Sequence, residues 1–319
     1  MTQTTTSIPV LLEAQRSPAL LRDYVELTKP RLNALVLVTT AVGFLLAERT
    51  SARSGAESLV LGLNTMLGTA LAAGSGAVLN QWMEAELDGR MERTRNRPLP
   101  TGRIHPQAAL RFGALLGVAG TAWLALGAGP VPALLAFITI IIYTLAYTPL
   151  KRTTSLCTLV GGIPGAIPPV IGFIAARGHW EGMNAQGWSL FLILFVWQMP
   201  HFLAIAWMYR DDYARAGMPM LPVIDVTGRL TPWAIFTWSL VLLPVSLWPA
   251  TMGLMGPVYV LSALLLGVVQ LGLAANVMYR GTVGSARLLF FWTITYLPLL
   301  LGMMVVDAVA LPMLLSNAT

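Results

Sequence analysis

Charge is scarce in this sequence. Only 11% of its 319 residues are Asp, Glu, Lys or Arg, while 56% are hydrophobic; a typical soluble domain carries roughly 25% charged residues. So little polar surface cannot cover a soluble globule of this length, which places the chain among membrane proteins. The single cysteine, Cys157, excludes an intramolecular disulfide and reads as a small packing residue. Three histidines, none in a spaced pair, exclude a His/Cys metal site. The first twenty-odd residues lack the basic start and apolar core of a cleaved signal, and they are too poor in arginine for a mitochondrial transit peptide. The bacterial cytoplasmic (inner) membrane is therefore the expected location, and the net charge of +6 does not point to nucleic acid.

What the sequence has in abundance is apolar runs. They fall at 31–47, 59–81, 108–127, 131–148, 157–176, 188–207, 232–251, 256–277 and 287–311. At about 20 apolar residues per crossing, they predict an all-α, polytopic bundle of about nine transmembrane helices. The expected organisation is an N-terminal cytoplasmic segment (1–30), one membrane domain (31–312) and a short periplasmic tail (313–319). With the N-terminus in the cytoplasm, seventeen Lys and Arg residues fall on that side, and only Arg49, Arg53 and Arg177 on the other. That asymmetry orients the chain and supports an odd number of spans. Pro149, Pro164, Pro168 and Pro169 blur the limits of the fourth and fifth.

Two loops on the cytoplasmic side, 82–107 and 208–231, are long and carry both charge signs. Where the second span runs into the first loop stand Asn80, Glu84 and Asp88, at i, i+4 and i+8. On a helix these form one stripe that drifts about 40° per step and is about 12 Å long. Hard oxygen donors in small number suit Mg²⁺, which completes its shell with water and phosphate. Arg90, Arg93, Arg95 and Arg97 follow at once, and guanidinium forks match phosphate oxygens. Carboxylates followed by arginines are what a departing diphosphate requires. The plain alternative is a solvated, positive-inside anchor with incidental ion pairs. Asp211 and Asp212, with Lys151 and Arg152 after the fourth span, add acids and cations on the same face.

These runs resemble a known family. Asn80 to Asp88 is similar to the first acidic signature of the UbiA-type intramembrane prenyltransferases. Met91 to Gly102, reading Met-x-Arg-Thr-x-Asn-Arg-Pro-Leu-Pro-x-Gly, resembles the haem O synthase branch. So do Tyr24–Arg31, Tyr147–Arg152, Gly161–Gly172, Trp197–Phe202 and Asp212–Pro222. The resemblance implies transfer of farnesyl from farnesyl diphosphate to a vinyl group of haem B, with water added, to give haem O. It further implies Mg²⁺ on Asn80, Glu84, Asp88 and Asp212, and a diphosphate neutralised by Arg93, Arg97, Lys151 and Arg152. Tyr143 and Tyr147 become candidate walls beside the allylic cation. His201, inside an apolar span and after Pro200, becomes a candidate haem contact. A haem A synthase or a terminal-oxidase assembly is the implied partner, with the lipid bilayer as surroundings. Two departures stand out: Glu84 where the wider family often has Asp, and Arg215–Ala216 where a second carboxylate is expected after Asp212. The alternatives left open are prenylation of a quinone precursor or chlorophyllide, a secondary transporter, and a non-catalytic oxidase assembly factor.

Overall fold

The computed structural model describes residues 20–49 and 51–310; the expected tail at 313–319 and most of the segment 1–30 lie outside them. The described residues are helical, with no strand. Nine of the helices are long and apolar enough to cross a membrane. They are α1 (Pro30–Glu48), α2 (Gly55–Arg90), α3 (Pro106–Gly127), α4 (Pro130–Leu150), α5 (Cys157–Arg177), α6 (Ala185–Met208), α7 (Leu230–Thr251), α8 (Pro257–Arg280) and α9 (Val283–Ala308). The chain is a multi-pass membrane protein.

Helix starts follow from local chemistry. α1, α3, α4 and α8 each open with proline in the first turn, where a missing N–H costs nothing and φ is already set. Ser54 and Glu57 form a capping box at α2. Asn184 accepts from two amides at the start of α6, and Thr282 from one at α9.

Neighbours in sequence pack in succession from α1 to α4, and α9 returns against α1 and α6. α5 is the interior element: 78% of its most apolar stretch is buried, against 22% in α3. Its prolines break it at Ile167 into Cys157–Ala166 and Pro168–Arg177, and its glycines let neighbours close in. A Cβ on Gly172 would strike the Thr40 carbonyl of α1, and one on Gly43 of α1 would strike the Pro169 carbonyl. The two backbones therefore touch, the small-residue packing expected where lipid offers no hydrophobic contrast.

Two irregularities shape one end of the bundle. α2 has 36 residues, about 54 Å at 1.5 Å per residue, far more than the ~30 Å hydrocarbon core. Residues 82–90, read from sequence as the start of a loop, are therefore the last turns of a helix. α4 widens into a π-helical turn at Ile142–Tyr147, just before Pro149, which lacks an N–H and crowds the carbonyl four residues back. Such turns concentrate at functional sites.

Candidate active site

The extended end of α2 carries Asn80, Glu84 and Asp88 on one buried stripe, each no more than 4% exposed. Each side chain meets a group from a different part of the chain. Lys29 Nζ donates to Asn80 Oδ1 at 3.1 Å, and Asn80 Nδ2 donates to Thr148 Oγ1 at 3.0 Å. Lys151 Nζ donates to Glu84 Oε1 at 2.8 Å. Arg97 Nη1 donates to Asp88 Oδ2 at 2.6 Å. Thr148 and Lys151 follow directly on the widened turn of α4, and Thr148 Oγ1 donates back to its Tyr143 carbonyl. Arg97 is delivered by the 91–104 connection. Thr94 binds the Asp88 carbonyl there, and Leu99 and Ile104 pack with Leu27, Val78 and Ala109.

The two lysines answer their surroundings oppositely. Burial lowers Lys29 to about 7, and the like charges of Arg97 and Lys151 push the same way; its contact is an amide oxygen. Burial also opposes the charge of Lys151, but Tyr147, Glu84 and Tyr143 outweigh it and hold this group above the usual lysine range. A carboxylate at 2.8 Å is the physical difference.

Lys151 lies 4.5 Å from the Tyr147 ring centroid, and Tyr147 stands 5.3 Å from Tyr143. Both tyrosines also wall an apolar cavity of about 240 Å³ that runs into the bundle between α1, α2, α4, α5 and α6. Gly161 makes room for this wall, since a Cβ there would meet the Tyr147 ring. Farther along the cavity stand Gln198 and His201. The His201 ring lies between Trp197 and Phe290, stacked on both at 4.9 and 5.1 Å. Its Nδ1 is 2.8 Å from Thr293 Oγ1, and that hydroxyl donates its one proton to the Phe290 carbonyl at 2.6 Å. Nδ1 must therefore carry the proton, which leaves the Nε2 lone pair uncommitted.

Not every residue expected at the site joins the cluster. Asp212 accepts the backbone N–H groups of Glu92 and Arg93 at 3.3 and 3.4 Å and pairs with Arg215. It thus fixes the arginine loop, and Arg215 supplies a cation where the family resemblance implied an acid. The Arg93 guanidinium lies 5.0 Å from the Tyr209 ring centroid. Arg152 donates to the Met83 carbonyl at 2.8 Å. Sequence reasoning missed Lys29 and Thr148 as members; the signal available was a basic residue directly before a span on the same face.

The fit to a divalent ion can be judged from the donors. Asp88 Oδ1 is buried with no hydrogen-bond partner among the described residues, a costly arrangement unless something else binds it. No three His, Cys, Asp or Glu side chains converge among the described residues. Few protein oxygens and one orphaned carboxylate oxygen fit a hard cation held largely through phosphate and water.

Acids and cations set against the tyrosine wall of an apolar cavity between membrane helices are the arrangement of an intramembrane prenyltransferase. The chain belongs to the UbiA prenyltransferase family, whose profile matches residues 36–295. It is 45% identical to the protoheme IX farnesyltransferase of Solibacter usitatus, over 90% of this chain and 99% of that one. It is 40% identical to the protein of that name from Koribacter versatilis, over 91% and 94%. Solved structures share the fold. One of digeranylgeranylglyceryl phosphate synthase superposes with a TM-score of 0.73 at 17% identity, over 92% of this chain and 99% of the other. A UbiA homolog from Archaeoglobus fulgidus bound to GPP and Mg²⁺ gives 0.59 at 16%, over 88% and 99%.

Proposed function

We propose that this chain is a protohaem IX farnesyltransferase. It transfers the farnesyl group of farnesyl diphosphate to a vinyl group of haem B, with addition of water, and yields haem O and diphosphate. The full-length likeness to farnesyltransferases bearing that name supports the acceptor. The observation that carries the donor chemistry is the stripe itself, in which buried carboxylates are paired with cations, one of them lying over the Tyr147 wall of an apolar cavity.

Asn80, Glu84 and Asp88 would hold Mg²⁺ with the diphosphate, and Asp212 would support the loop from the opposite half of the bundle. The ion, when bound, neutralises charge on the diphosphate oxygens. Arg97 and Lys151 present two more positive charges, Lys29 adds a third when protonated, and Arg93 and Arg152 flank them. As the allylic C–O bond breaks, the electron pair leaves with diphosphate and the cations stabilise it. Tyr143 and Tyr147 face the cavity where positive charge develops on the farnesyl carbon. That carbon bonds to the vinyl group; the cation left beside the porphyrin takes up water and loses a proton. The apolar wall keeps other water from the first cation. His201, with Nε2 uncommitted, contacts the haem. The positive-inside pattern supports a site on the cytoplasmic face of a bacterial inner membrane, with the C-terminus periplasmic.

The test is Asp88→Asn, checked for membrane insertion and assayed for haem O in membrane extracts and for Mg²⁺-dependent diphosphate release. Both activities should fall by about two orders of magnitude or more. Near-normal haem O would refute the donor site. Intact diphosphate chemistry in the unmutated protein, with no haem O, would instead favour prenylation of another acceptor.

A further inference from the structure

Between Asp225 and Asp307 the sequence contains no acid, and its only charges are Arg229, Arg280 and Arg287. The first two meet. A cleft of about 280 Å³ opens between the start of α7 and the end of α8, lined by Arg229, Trp233, Tyr279 and Arg280 among others. It shares no residue with the cavity beside the acidic stripe.

Neither guanidinium has a partner among the described residues. The acid closest in sequence to Arg229 is turned inward. Asp225 is buried and spends its oxygens on the backbone N–H groups of Arg229 and Thr231 and on the Thr227 hydroxyl. At both ends of the cleft the chain turns through glycine in the left-handed region, Gly228 at φ 64° and Gly281 at φ 59°. A Cβ on Gly281 would meet nothing within 4 Å, so the rim is open. Trp233 and Tyr279 are 56% and 91% exposed at the helix ends, the depth at which such rings sit against lipid headgroups. Beyond them, Leu240 on α7 and Leu261, Leu265 and Val268 on α8 face outward.

We propose that this cleft binds the phosphate group of an acidic glycerophospholipid, with its acyl chains along the outer faces of α7 and α8. Two uncompensated guanidiniums between helix ends on the positive face are the chemistry that recognises such a headgroup. Inorganic phosphate offers the same oxyanion without the chains.

The test uses the full chain in detergent, titrated with dioleoyl phosphatidylglycerol and read by native mass spectrometry, with phosphatidylcholine as the neutral comparison. Arg229→Gln and Arg280→Gln should each weaken one saturable binding event by about fivefold, and the double variant by more. Arg111→Gln, an exposed arginine on α3 at the same end, should leave it unchanged. Lipid-free unfolding midpoints should match the parent protein, since neither guanidinium holds a contact among the described residues. Three results would each overturn the proposal: equal loss in Arg111→Gln, no loss in the double variant, or displacement of the lipid by millimolar inorganic phosphate.

Discussion

Lys151 Nζ and Glu84 Oε1 stand 2.8 Å apart, in side chains only 13% and 5% exposed. A pair so enclosed offsets its own desolvation while both charges are present, and removal of one strands the other. Lys151→Met should therefore lower the unfolding midpoint of the purified protein more than Lys151→Met combined with Glu84→Gln, the single change costing about 3 kcal/mol. Both should lack diphosphate release. A double variant as unstable as the single would mean that the pair contributes nothing beyond packing.

Lys29 is the only non-glycine residue with positive φ among the described residues, at φ 50° and ψ 60°. The left-handed region costs a side-chain-bearing residue about 1–2 kcal/mol, and here it turns the ammonium toward Asn80. Gln81 holds the Leu27 carbonyl and Asn33 the Thr28 carbonyl, so the strained turn is braced from both sides. Lys29→Gly should hold or raise the unfolding midpoint while raising KM for farnesyl diphosphate. Lys29→Ala should lower the midpoint and raise KM. A KM unchanged in both would remove Lys29 from the diphosphate site.

The same residue predicts a pH dependence. Its folded value, lowered to about 7, means that the cation is present below pH 7 and lost as pH rises through it. The unfolded chain keeps its proton up to the ordinary lysine value of about 10.4, so this group adds stability as pH rises from about 7 to 10. Diphosphate favours the charged form, so binding should take up a proton above pH 7 and weaken as pH rises. Calorimetry in buffers of different ionisation enthalpy reads that uptake. Lys29→Arg, charged throughout, should abolish the Lys29 contribution.

Much of this was legible in the sequence. The apolar runs located the nine spans because lipid demands apolar length, and the i, i+4, i+8 spacing placed three oxygen donors on one face. The conformation of Lys29 was not legible, because Gln81 and Asn33 impose it from α2 and α1. Nor was the use of Asp212. Arg215 is visible three residues on, but the amides of Glu92 and Arg93 lie about 120 positions away. The widened turn of α4 was half legible: Pro149 announced a disturbance, but only packing against Asn80 directs it into the site.

His201 shows how far a hydrogen-bond inventory reaches. Thr293 is a spacer in sequence, 92 residues from the histidine, yet its hydroxyl fixes which ring nitrogen is bare. Thr293→Val removes that acceptor and leaves the Trp197 and Phe290 rings in place. Nδ1 would then compete with Nε2 as the bare nitrogen, so haem affinity should fall by a factor of about 5–10, the equivalent of one hydrogen bond. His201→Ala should lower it further. Neither change should alter Mg²⁺-dependent diphosphate release, because both residues lie away from the stripe, whereas Asp88→Ala should abolish release and leave haem binding intact. Titration of ferric haem into the purified variants, followed by the Soret band, separates the two. Equal Soret shifts in the parent protein and His201→Ala would reduce this histidine to a packing residue between α6 and α9.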